Sequence, residues 1–187
     1  MKLVIGAVVT AIAIFVWGWL FWGYGSLYIQ PFASLNPSAE MSVGSAMRAN
    51  MPGDGAYMIP GLTGTDEASL TDFEMRHQSG PRALIMYRAG GADMMEPMVM
   101  VQGFIHILVT AFLLGIALQA VAGGLPGYTQ RMIAVVLFGL AASVYSTLGD
   151  PIWWNAPWRF AAIAFAYDFV SYIIAGAILA QFVKKET

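Results

Sequence analysis

Leu3 to Gln30, LVIGAVVTAIAIFVWGWLFWGYGSLYIQ, contains no charged residue. At about 1.5 Å of rise per residue, roughly 20 such residues cross the ~30 Å hydrocarbon core of a bilayer as an α-helix. The signature returns three times. Pro97 to Gln130 and Met132 to Leu148 are free of charge, and Phe160 to Val183 carries only Asp168. Each run has the length of a spanning helix, the third close to the lower limit of about 17 residues. The expected fold is therefore an all-α membrane protein with four transmembrane helices and a small α+β extracytoplasmic insertion between helices 1 and 2. Residues 1–30 hold helix 1, residues 31–96 the insertion, and residues 97–187 the other three helices, at about 97–121, 131–149 and 158–183.

Composition supports this class. Hydrophobic residues make up 58% and charged residues 11% of the 187 residues, against about 45–50% and 25% in soluble domains. A soluble chain of this size could not hide that much apolar surface. The net charge of -2 gives no footprint for nucleic acid. Without cysteine there is no disulfide, thiolate metal site or cysteine nucleophile. Lys2 before an apolar run resembles a secretory signal, but the run is too long, and it ends in bulky Trp19, Phe21, Trp22 and Tyr24 where a peptidase needs small residues. Helix 1 is expected to stay uncleaved.

Four spans put both termini on one side, together with Lys2, Arg131, Lys184 and Lys185. The positive-inside rule makes that side cytoplasmic, which leaves residues 24–96 outside the inner (plasma) membrane. Trp17, Trp19, Trp22, Tyr24 and Tyr28 crowd the outer end of helix 1, and Trp153, Trp154 and Trp158 flank that of helix 4. Rings with one wet polar atom favour this interface. The six Trp are read as an interfacial belt that doubles as a docking surface.

Within the insertion, Asn36-Pro37-Ser38-Ala39-Glu40 reads as a helix start running toward Asn50, ended by Gly53-Asp54-Gly55. Ala56–Pro60 and Ala83–Tyr87 read as two short strands bounded by Gly or Pro. Thr63 to Ser79, polar and charged, is read as the mobile part. This helix-plus-hairpin cap is too small for independent stability and is expected to pack on the helix ends. Its Met-rich exit, with Met94, Met98 and His77, is a conceivable copper site because thioethers suit Cu(I). Adaptable apolar filling is the plainer role for Met.

Asp168 is the costliest residue in the chain if it lies near the bilayer centre. Helices 2 and 4 both run inward, and His106 and Asp168 lie nine and ten residues from their starts, about 14–15 Å deep at the helical rise. A pair at one level follows. Supporting polar groups are Gln102 one turn above His106, Ser143, Ser146, Thr147 and Asp150 on helix 3, and Ser171 and Tyr172 on helix 4. The pair is either hydrogen-bonded glue between helices or a proton-relay or ligand site. A His106 facing lipid could instead ligate haem or chlorophyll, although no cofactor is expected.

No Walker loop, HExxH, GxSxG or dinucleotide fingerprint is present, so no catalytic residue is assigned. The layout resembles a family of small four-helix bacterial membrane proteins of unassigned function. The likeness rests on Trp17-Gly18-Trp19, the Gly55 to Gly61 motif Gly-x-Tyr-x-x-Pro-Gly, a second strand ending in Tyr87, and Trp153-Trp154. It implies no functional residue. The expected function is a non-catalytic accessory or assembly subunit of a larger inner-membrane complex, with lipid, other subunits or further copies of itself as partners. The alternative is a small-ligand membrane protein in which His106 and Asp168 handle a proton, metal or tetrapyrrole pigment.

Overall fold

The structure, a computed structural model, describes residues 1–23, 32–93 and 96–183. It is mostly helical, in two units: Met1–Ala33 with Met94–Thr187, and Ser34–Asp93. Tyr24, Tyr28, Met94, Lys184 and Lys185 lie outside the described residues.

The larger unit holds four helices long and apolar enough to cross a membrane. They are α1 (Lys2–Gly23), α4 (Pro97–Val121), α5 (Tyr128–Ser146) and α7 (Trp158–Phe182), with a short α6 (Asp150–Trp153) before the last. Proline sets two of the starts. Pro97 is the first residue of α4, where its missing N–H costs nothing, and Pro157 is the N-cap of α7. At α5 the Gln130 Oε1 accepts the Gly127 N–H at 3.0 Å. This helix begins three residues before the expected 131 and ends at Ser146, not 149, because Thr147 to Gly149 turn the chain into α6.

The long helices form the order α4–α1–α7–α5: α1 packs between α4 and α7, and α5 packs on α7. Phe15 meets Phe104 edge-on at 5.7 Å between α1 and α4. At one end of the bundle the start of α1 meets the end of α7, where a Cβ on Gly6 would lie 2.8 Å from Phe182. The start of α5 joins them through Arg131, whose Nε donates to the Ala180 carbonyl at 3.1 Å. Arg131 is buried, and its Nη1 also donates to Leu125 O at 3.0 Å and Pro126 O at 2.9 Å. It ties down a helix end and is not a surface charge. Ile14, Leu118, Val135, Ala175 and Leu179 centre the core.

The smaller unit contains α2 (Pro37–Asn50), β1 (Gly55–Ile59), α3 (Glu67–Ser79) and β2 (Ala83–Tyr87). Asn36 Oδ1 caps α2 by accepting the Ala39 N–H at 2.9 Å. The strands pair antiparallel from Gly55 opposite Tyr87 to Ile59 opposite Ala83. The Ala89 N–H donates to Asp54 Oδ1 at 2.8 Å beside one end of this ladder, and Tyr57 and Tyr87 meet edge-on at 6.3 Å.

The expectation of a mobile Thr63 to Ser79 is corrected by α3. Asp66 caps it, accepting from the Ser69 N–H at 3.0 Å and hydroxyl at 2.6 Å, bonds that hold its carboxyl below the ordinary 3.8. Arg76 and Asp72 pair at 2.6 Å one turn apart. Gly80 ends the helix with φ 68, a backbone region that favours glycine.

Candidate functional site

An apolar helix has no polar face to aim, so its neighbours decide which of its polar residues meet. Here α1, α4 and α7 enclose a cleft of about 190 Å³. Ile14 comes from α1. His106, Ile107, Thr110, Ala111 and Leu114 come from α4, and Tyr167, Asp168, Ser171 and Tyr172 from α7. The spacing 107, 111, 114 turns one apolar strip of α4 inward, while 106 and 110 place His106 and Thr110 at its edge. On α7, positions 168, 171 and 172 are one turn apart and give the opposite wall its polar groups.

The cleft brings His106 and Asp168 into one space, but they do not bond to each other. The Asp168 Oδ2 accepts from the Thr147 hydroxyl at 2.8 Å. Among the described residues its other carboxylate oxygen has no protein partner. Thr147 follows the last turn of α5, and α5 packs closely on α7, whereas α4 barely touches α7. That packing takes the Asp168 carboxylate to Thr147, and the pairing expected with His106 is not made. Thr147 was legible in the polar stripe of the third helix, alongside Ser143, Ser146 and Asp150.

The remaining polar residues divide. The Ser171 hydroxyl donates to Tyr167 O at 2.8 Å, and that of Ser146 donates to Ala142 O at 2.8 Å. Ser143 is buried and its hydroxyl has no hydrogen-bond partner among the described residues, a property shared with Thr10 of α1. Gln102 and His106 are exposed on α4, and Thr110 donates back to the His106 carbonyl at 3.0 Å.

Aromatic residues build the wall behind the carboxylate. The Trp17 Nε1–H donates to Tyr167 O at 3.3 Å, and the two rings stack at 6.4 Å. Phe21 and Trp22 lie 5.4 Å and 5.5 Å from the same tyrosine ring. Trp17 and Trp22 are thus half-buried in a helix contact, whereas Trp19, Trp153, Trp154 and Trp158 are exposed. Tyr167 was not singled out as a site residue, and Trp17 was read as part of the interfacial docking belt rather than of this wall. Tyr167 was visible as the neighbour of Asp168, but its orientation depends on α1.

Of the copper trio, Met94 lies outside the described residues, the His77 ring meets that of Phe73 at a tilt, 5.6 Å between centroids, in the smaller unit, and Met98 is exposed at the start of α4. Among the described residues no cluster of three His, Asp or Glu could hold a metal. Compared with known protein families, curated proteins and solved structures, the chain matches none.

Proposed function

We propose that this chain is a four-span membrane protein that binds a small amphipathic ligand in the cleft between α4 and α7, with His106 and Asp168 at its polar end. The supporting observation is the cleft itself. Glue would require the two side chains to satisfy each other, and instead both line one space, with a carboxylate oxygen unclaimed among the described residues. An ionised carboxylate in hydrocarbon costs about 2.5–3.5 kcal/mol on insertion scales. A site that tolerates this cost is a functional candidate by default. A volume of about 190 Å³ suits a small polar headgroup or a single ring better than a haem or chlorophyll macrocycle.

The orientation follows the charges, with termini in the cytoplasm and residues 24–96 outside, which makes the Ser34–Asp93 unit extracytoplasmic. A cysteine replacing Ser69 should then react with an impermeant thiol reagent on intact spheroplasts, and one replacing Thr129 only after lysis. The reverse pattern overturns the orientation.

The ligand reading has its own test. The protein purified in mild detergent should carry a small molecule, detectable by native mass spectrometry, that Thr110→Trp excludes by filling the cleft. Equal retention by the folded Thr110→Trp variant argues against the cleft.

A second reading, an accessory subunit of a larger inner-membrane complex, draws on one observation. Gln102 and His106 are exposed one turn apart on α4, whose main helical neighbour is α1, and polar groups on a lipid-facing helix favour association with another chain. A polypeptide that co-migrates with the wild type and is lost in Gln102→Leu/His106→Leu would carry that reading instead.

A further inference from the structure

We infer that the ligand of this cleft is a protonated lipophilic amine, bound by Asp168 in exchange for a proton; this rests on the ligand-cleft reading above. Charge supplies the first argument. The cleft contains a carboxylate but no lysine or arginine, and its other titratable residues are His106, Tyr167 and Tyr172. From α1 the groups beside Tyr167 are the Trp17, Phe21 and Trp22 rings, and from α5 the partner of Asp168 is the Thr147 hydroxyl, none of them titratable in the ordinary range. In an apolar surrounding such a carboxylate is neutral when protonated or when a cation sits beside it. Only a cation favours the ionised form: an anionic ligand would be repelled by it, and a neutral one would leave its charge unmatched.

Aromatic chemistry supplies the second argument. Tyr167 and Tyr172 line the cleft on either side of Asp168 in the sequence of α7, and Tyr167 is backed by three further rings. Ring faces attract ammonium groups more strongly where water is scarce. The apolar strip of Ile14, Ile107, Ala111 and Leu114 then receives the hydrocarbon part. A neutral His106 imidazole can accept an ammonium N–H.

The exchange balances without any further reactant. The ammonium keeps its protons, the Asp168 carboxylic acid gives its proton to water, and an ion pair replaces the neutral acid. No covalent bond other than the O–H bond changes.

The test uses the full chain in mild detergent with three isosteric probes: 2-phenylethylammonium, neutral propylbenzene and anionic phenylacetate. Ligand-observed NMR competition and thermal shift should report saturable binding of the cation at least tenfold tighter than either other probe. In weakly buffered solution, cation binding to the wild type should release up to one proton per site below the carboxyl pKa, a readout that needs no variant. Asp168→Asn should lose the preference and the proton release, and Gly103→Ala, whose added methyl meets no atom within 4 Å and lies outside the cleft, should keep both. If all three probes bind alike and Thr110→Trp blocks them, the amine assignment is overturned while the cleft reading stands. If none of them binds, both are overturned.

Discussion

Arg131→Ala should destabilise the helical unit by about 3 kcal/mol, the largest loss expected from removing any one polar side chain in that unit. The guanidinium is buried and serves three carbonyls: Ala180 in the last turn of α7, and Leu125 and Pro126 in the connection before α5. Each buried acceptor left without a donor costs about 1–3 kcal/mol, reduced where water can reach it. The C-terminal end of α7 also loses a cation that complements its dipole. Arg131→Lys should recover only about 1 kcal/mol, because a single ammonium cannot reproduce the planar fork that reaches two segments at once. Unfolding in mixed micelles with increasing dodecyl sulfate measures both. An Arg131→Ala midpoint equal to that of the wild type would show that the three carbonyls are satisfied without the side chain.

Gly139→Ala should cost on the order of 3 kcal/mol by overpacking. A methyl group there overlaps the Cβ and ring of Tyr172, which sits at the root of its side chain where little can give. Either Tyr172 leaves its rotamer or α5 and α7 move apart. Because Tyr172 also lines the cleft, ligand binding should fall along with stability. Gly103→Ala is the matched control. No atom lies within 4 Å of the Cβ it would add, so better helix propensity should make it neutral or stabilising by up to about 1 kcal/mol. Equal losses for the two variants in thermal unfolding would refute the packing argument.

The four charge-free runs were enough to locate the long helices, because a missing charge is a property of the segment and needs no partner. Which helices touch was not legible. Helices that are apolar all round give no direction to a core, and their neighbours are chosen by close approaches such as Gly139 to Tyr172 and Gly6 to Phe182, each visible only once both surfaces are known. The candidate site inherited that limit. Helical rise placed His106 and Asp168 at one depth, but the Thr147 bond depends on α5 packing against α7. Arg131 was counted as a marker of sidedness, and its burial against backbone carbonyls was hidden because loop carbonyls have no signature in sequence. The overlooked α3 is different. Asp66 three residues before Ser69, Asp72 four before Arg76, and Gly80 at the end were all readable, and they were outweighed by the polarity of the segment.

The order α4–α1–α7–α5 has a consequence for biosynthesis. Of these four described helices α1 is made before the others, and its two neighbours are the second and the fourth in chain order. At about 5–20 residues per second of synthesis, α1 waits on the order of ten seconds for α7 to emerge. Through that interval the Trp17 indole lacks its acceptor, the Tyr167 carbonyl. The cleft has no second wall until α7 has been made. A chain stalled or truncated before Trp158 would therefore present the His106 edge of α4 without the wall that carries Asp168.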